Sequence, residues 1–484
     1  MSGIFGVVSK SDCVRDLFYG TDYHSHLGTE FGGLAVLGDT FSRQIHNISQ
    51  TQFKSKFYDD SKRMKGNSGI GVISAFDEQP IYLSSKYGPF CIVTNGFIEN
   101  AEGLAAALLR RGGSFSEVTK GSVNVTELIA KLIVEGTSLV DGIGKMFSLI
   151  EGSCSLLLLN KDGIYAARDR FGYTPLIIGK KKDAWAVTSE TAAFPNNGYE
   201  VVKDLGPGEI VLINENGPVQ KKAQGATGQI CTFLWIYTGF PASTYEGINT
   251  ETVRERSGAY LAKHDKDIGV DLVAGVPDSG VGHAIGYAME SGKPYRRPLV
   301  KYTPGYGRSY TPPSQETRDL IATMKLIAIK AVIEGKRIVL CEDSIVRGTQ
   351  LKMFAIKKLW DAGAKEIHVR PACPPLMFPC RFNLSTRSID ELAARRAIRS
   401  LEGRDLDDVS EYTDDTSAKY GKMVDWIARD IGVTTLRYQT VNDMVKAIGL
   451  PKEKLCLYCW TGECPQAKTC GPQCSCSATA EAAK

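Results

Sequence analysis

The apolar positions of this chain fall into two regimes. From residue 2 to about 224, short apolar or alternating runs at 3–8, 33–37, 90–93, 155–159 and 163–167 are separated by Gly and Asn turns, the pattern of β-strands. One helix interrupts them over 125–135. Leu128, Ile129, Leu132 and Ile133 form one face, Asn124 is its N-cap and Gly136 its stop. Beyond about residue 225, strand-like runs alternate with helical ones, which predicts a parallel sheet. Strands are expected at 271–276, 338–341 and 365–369, and helices at 283–289 and 351–362. A further helix is expected to end at Gly335, with Leu320, Met324, Ile327 and Ala331 as its buried stripe. The acidic, polar stretch 405–423 reads as surface.

One stretch, 336–350, carries the chemistry of the second regime: KRIVLCEDSIVRGTQ. Its apolar run ends on two adjacent acids, Glu342 and Asp343, and a small hydroxyl-bearing loop follows, Ser344 to Thr349. Ligands of open α/β sheets bind at the carboxyl ends of strands. A glycine such as Gly348 lets backbone N–H groups close on a phosphate at a helix start. The acids suit sugar hydroxyls or a metal. Phosphate, diol and Mg2+ together describe a phosphorylated pentose.

Composition narrows the alternatives only a little. The 484 residues leave room for two or three domains, and 43% hydrophobic with 23% charged residues is ordinary for a globular protein. A net charge of +4 makes no case for nucleic acid or a membrane surface as partner. The opening MSGIFGVVSK lacks the basic region and the length of a signal peptide, and no segment approaches the ~20 apolar residues of a membrane-spanning helix. Of thirteen cysteines, six lie between Cys456 and Cys476, a clustering that favours metal or iron–sulfur ligation over disulfides. Cys13, Cys91, Cys154, Cys341 and Cys373 read as small core residues.

The segment DSIVRGT resembles the 5-phosphoribosyl-1-pyrophosphate (PRPP) loop of the type I phosphoribosyltransferases, and specifically that of the glutamine PRPP amidotransferase family. That family usually has two aspartates where this chain has Glu342 and Asp343. GVPDSG, with Asp278 and Ser279, is similar to the family's pyrophosphate loop and stands about sixty residues before the PRPP loop, as it does there. KYTPGYGRSYTPPSQETR matches the flap that folds over PRPP. In the first half SGIFGVV, VTNGFIEN, AARDRFGYTPL, AVTSETAAF and LGPGEIVLI are similar to successive parts of the family's glutaminase domain. The resemblance implies an α+β N-terminal-nucleophile hydrolase-like sandwich followed by an α/β type I phosphoribosyltransferase domain. Expected boundaries are 2–224 for the glutaminase-like domain, 225–455 for the PRPP domain and 456–484 for a Cys-rich tail.

By the same resemblance Glu342 and Asp343 hold the ribose diol, while Ser344, Arg347, Gly348 and Thr349 close on the phosphate. Arg308, Lys325 and the Asp278–Ser279 loop are expected to meet the pyrophosphate, and Ser279, Glu342 and Asp343 to face Mg2+. Cys231, Cys380, Cys456 and Cys459 match the ligands of a [4Fe–4S] cluster in the family's iron–sulfur branch; a Zn2+ site would use the same thiolates. Cys464, Cys470, Cys474 and Cys476 form a second group, for another metal or as free thiols. A homo-oligomer in the cytoplasm is also expected.

The glutaminase chemistry departs from the family's pattern. Ser2 stands where the family has its cysteine nucleophile, and Ser74 where it has an arginine for the substrate carboxylate. Val125 replaces the aspartate for the substrate ammonium, and His26-Leu27-Gly28 replaces an HRG loop. Only Asn95 and Gly96 of the oxyanion hole remain. An unpaired α-carboxylate and α-ammonium are expensive to desolvate. The expected function is therefore transfer of phosphoribose from Mg-PRPP to ammonia, giving 5-phosphoribosylamine, without local use of glutamine. The alternatives are an active serine variant, a regulatory paralog that binds PRPP or a nucleotide, and a transferase to another small amine.

Overall fold

The computed structural model describes residues 2–119, 121–266, 268–302, 326–349, 351–383 and 388–463. Arg308, Lys325, most of the expected flap and the last four cysteines lie outside the described residues. The chain divides into two compact units. One comprises Met1–Cys231, Ala242–Gly247 and Arg381–Leu384; the other comprises Thr232–Pro241, Ile248–Cys380 and Ser385–Lys484.

The alternating runs of the first half pair into two antiparallel sheets. In the seven-stranded sheet Gly3–Ser9 is central, between Ala184–Thr188 and Ser68–Ser74. In the six-stranded sheet Gly88–Ile98 lies between Ile81–Ser85 and Gly152–Asn160. Ile4, Val8 and Val72 of the first sheet share one apolar core with Val93, Leu157 and Ile164 of the second. The outer face of the six-stranded sheet packs on Ala101–Arg110, Val125–Val134 and Leu139–Leu149, whose buried side chains form a separate core. Helices Val14–Asp22 and Phe53–Arg63 cover the other sheet, so the layers run helix, sheet, sheet, helix. Asn124 caps Val125–Val134 by accepting from Glu127 N at 3.0 Å.

The second unit is built on four parallel strands in the order Leu272–Gly275, Arg337–Glu342, Glu366–Pro371, Thr435–Leu436. Helix Val281–Ser291 ends on Gly292 in the left-handed region, and Leu351–Ile356 has π geometry before Lys357–Asp361. Two expectations fail here. No helix runs from 326 to Gly335: Leu326–Ala328 is a strand antiparallel to Leu299–Lys301, and only Lys330–Ile333 is helical. Ile327 and Ala331, expected in a buried stripe, are exposed. The strand's partner is remote in sequence, so tertiary pairing overrides the local helical period. The stretch 405–423 is not all surface. Val409, Tyr412 and Met423 belong to the main core, because short apolar anchors between acids still find the sheet's helical cover.

Candidate active site

In the second unit two loops leave adjacent strands at the same carboxyl edge. Gly275 is paired with Cys341, so the loop after Val276 starts beside Glu342. Val276 N donates to Cys341 O at 3.0 Å, and Gly280 N to Val276 O at 2.8 Å. A Cβ on Gly280 would lie 2.2 Å from Cys341 O, which explains why the GVPDSG turn closes on glycine. The Pro277–Asp278 peptide is cis. Ser279 Oγ donates to Glu342 Oε1 at 2.6 Å, and Ser344 Oγ to Asp343 Oδ2 at 2.6 Å.

Glu342 and Asp343 are both buried. Burial, then the hydrogen bond and charge of Asp343, push the Glu342 carboxyl well above the usual carboxylate range, while Ser279 pulls it the other way. Two carboxylates and a hydroxyl are hard oxygen donors. Mg2+ needs only one or two carboxylates when phosphate oxygens complete its shell. The residues present therefore fit that ion, although no group of three or more His, Cys, Asp or Glu among the described residues forms a metal site.

The loop after Asp343 carries a glycine and a run of backbone N–H groups. Gly348 is in the left-handed region at φ +77°, and Gly348 O accepts from Lys352 N at 2.9 Å. The N–H groups of Ser344 to Thr349 donate to no described residue. Successive amides of this kind form a nest for an anion. Arg347 is exposed, and its guanidinium donates to Glu391 Oε2 at 2.6 Å, turned to a carboxylate of its own unit. Sequence reading missed both that partner and Lys301, whose ammonium lies 3.0 Å from the exposed Asp278. Neither Glu391 nor Lys301 has a local signature beyond its charge.

In the first unit the expected constellation is assembled in part. Ser2 is buried and its N donates to Asn95 Oδ1 at 3.2 Å. Gly96 is paired with Cys154 at φ +151°, and a Cβ there would lie 2.0 Å from Ser153 O, so only glycine fits. Gln79 holds the same strand, accepting from Thr94 N at 2.7 Å and donating to Thr94 O at 3.3 Å. Since Gly3 pairs with Ile73, the register carries Ser74 opposite Ser2. Ser74 is buried, and its Oγ accepts from Phe76 N at 3.2 Å.

Val125 begins its helix between two residues that are already engaged. Asn124 donates to Glu78 O and Thr119 Oγ1, and the Glu127 carboxylate accepts from Ser116 N and Glu117 N and meets Lys131. His26 Nε2 lies 2.7 Å from the buried Glu190, which also accepts from Tyr245 OH at 2.8 Å. A Cβ on Gly3 would lie 2.3 Å from the buried His24.

Cys456 ends the short strand Leu455–Cys456, and Cys459 lies in the helix Tyr458–Thr461. Cys459 O accepts from Met377 N at 2.9 Å and Phe378 N at 3.1 Å, which ties the C-x-x-C to the segment leading into Cys380. Cys231 belongs to the other unit. Cys13, Cys91, Cys154, Cys341 and Cys373 are buried core residues.

Comparison with known proteins places this chain in one family. A glutamine amidotransferase domain family matches residues 68–196. The amidophosphoribosyltransferase of Methanocaldococcus jannaschii is 30% identical over 493 residues, spanning 96% of this chain and 98% of that protein. The chain belongs to the amidophosphoribosyltransferase family. The Bacillus subtilis amidophosphoribosyltransferase is 31% identical over 480 residues, covering 96% and 94% of the two chains. Among solved structures, the glutamine PRPP amidotransferase from B. subtilis complexed with ADP and GMP has a TM-score of 0.82 at 30% identity, over 96% of this chain and 97% of that one. The amidophosphoribosyltransferase fold, an N-terminal-nucleophile glutaminase fold followed by a type I phosphoribosyltransferase, is thus the fold of this chain. Amidophosphoribosyltransferases are pentosyl-transferring glycosyltransferases. No helix among the described residues is long and apolar enough to cross a membrane.

Proposed function

We propose that the second unit binds Mg2+-PRPP and transfers its phosphoribosyl group to ammonia. The observation that carries this reading is the hydrogen bond from Ser279 to Glu342, which joins a pyrophosphate-type loop to a diol-binding pair of acids at one sheet edge. The nest of Ser344 to Thr349 takes the 5-phosphate, and Glu342 and Asp343 orient the ribose hydroxyls. The turn at Asp278 and Ser279 receives the pyrophosphate. Mg2+, held by Ser279, Glu342 and Asp343, would neutralise charge on the leaving group. The nitrogen lone pair attacks C1 opposite the pyrophosphate, the C1–O bond breaks with its electrons on the leaving oxygen, and the amine loses a proton to water. The work of these residues is positioning and charge stabilisation.

The first unit, on this reading, no longer hydrolyses glutamine. Ser74 and Val125 offer no charge to an amino acid's carboxylate and ammonium. The neighbouring polar groups Asn124 and Glu127 are satisfied by backbone and by Lys131. Ammonia then arrives free or from another protein. The distinguishing experiment compares pyrophosphate release from PRPP with ammonium chloride and with glutamine. Release with ammonium alone supports the reading, and glutamate formation abolished by Ser2→Ala overturns its second half.

For the cysteines, the same reading assigns Cys231, Cys380, Cys456 and Cys459 to a [4Fe–4S] cluster that staples the tail. Its support is the thiolate donor set and the amide bonds to Cys459 O. Iron and labile sulfide in anaerobically purified protein test it. Zinc with no iron rejects it.

A further inference from the structure

Two carbonyls of the loop that would take the 5-phosphate are held by a helix remote in sequence. Val346 O accepts from Ala393 N at 2.8 Å, and Arg347 O accepts from Arg396 Nη2 at 2.9 Å. Both donors belong to Ala393–Glu402. The peptide bonds here are trans, and in a planar trans peptide the N–H points opposite to the C=O. Turning Val346 O and Arg347 O onto this helix therefore turns the N–H groups of Arg347 and Gly348 the other way, into the nest. The backbone bond from Ala393 exists whatever its side chain. The bond at Arg347 O depends on one side chain, and that side chain is itself held: Arg396 Nη2 also lies 3.1 Å from Asp430 Oδ2, on helix Ala418–Ile431.

We propose that Arg396 is a positioning residue for the phosphate loop, held by Asp430 and acting through Arg347 O to aim the Gly348 N–H at the sugar's 5-phosphate. The inference rests on the phosphoribosyl reading of this site. It goes beyond that reading by assigning a role to a side chain that is not expected to touch the ligand. Because the pyrophosphate turn at 277–280 has no bond to Ala393–Glu402, only one end of PRPP should feel the change.

The test is titration calorimetry on the full chain with Mg2+, using PRPP, ribose 5-phosphate and pyrophosphate as separate ligands. Arg396→Met is expected to weaken PRPP and ribose 5-phosphate about tenfold and to leave pyrophosphate unchanged. Arg396→Lys, which keeps the charge and one donor, should recover most of that loss. Asp430→Asn, which loosens the guanidinium without removing it, should weaken ribose 5-phosphate about threefold. It also serves as the second variant where Arg396→Met fails to fold. Unchanged ribose 5-phosphate affinity in these variants overturns the role of Arg396, as does equal weakening of pyrophosphate. Wild-type protein that binds neither PRPP nor ribose 5-phosphate overturns the phosphoribosyl reading itself.

Discussion

Ser279 Oγ lies 2.6 Å from Glu342 Oε1, and this side-chain bond joins the two loops at the sheet edge. Glu342 is buried, so its oxygen has little water to fall back on. Ser279→Ala should raise the KM for PRPP about tenfold, the cost of losing the bond that joins the two loops, while Asp343 N still donates to Glu342 Oε1 at 3.2 Å. Steady-state pyrophosphate release at varied PRPP measures it, and an unchanged KM counts against a shared site.

Gly280→Ala tests the closeness of the same loops. A methyl group there meets Cys341 O at 2.2 Å, with Val276 N at 2.8 Å, and both are backbone atoms that cannot rotate aside. The expected loss of stability is about 2–4 kcal/mol, from overpacking and a displaced turn. Urea denaturation of the variant reads it, and a loss under about 0.5 kcal/mol would mean that the turn is looser than drawn.

His24 in one unit and His283 in the other are fully buried, and the folded form of each resists protonation. Burial is the largest cause in both, and it lowers His24 and His283 from 6.5 to about 4; Arg254 adds to the effect on His283. The folded state prefers the neutral ring. The stabilising contribution is therefore complete above pH 6.5 and is lost as pH falls from there towards 4. By pH 4 the loss is about 3 kcal/mol per histidine. Denaturation at pH 7 and pH 4.5 should show it, and His283→Asn should flatten the dependence of its unit.

Ser2→Cys is predicted not to confer glutamine hydrolysis. A thiol would restore the nucleophile but would leave positions 74 and 125 without a charge for the carboxylate and ammonium of an amino acid. Glutamate release above the wild-type background by this single variant would show that glutamine is held by other groups.

Local chemistry was the legible part of this chain. The strand, the two acids and the glycine of 336–350 read directly, because each residue type answers a need within a few positions of itself. Asn124 was legible as a cap for the same reason. What escaped were partners remote in sequence. Strand Leu326–Ala328 exists because of Leu299–Lys301, Arg347 turns aside because of Glu391, and Tyr412 is buried by elements on both sides of it. No period or motif announces a pairing of that kind. That Ser74 and Val125 are uncharged is plain in the sequence, but the engagement of Asn124 and Glu127 could not be read there.

Ser2 leads into the middle strand of a seven-stranded sheet and is itself buried against Asn95. Fusing an affinity handle directly ahead of it would force foreign chain through that crowded spot. Purification strategies for this protein should therefore put the handle at its other terminus.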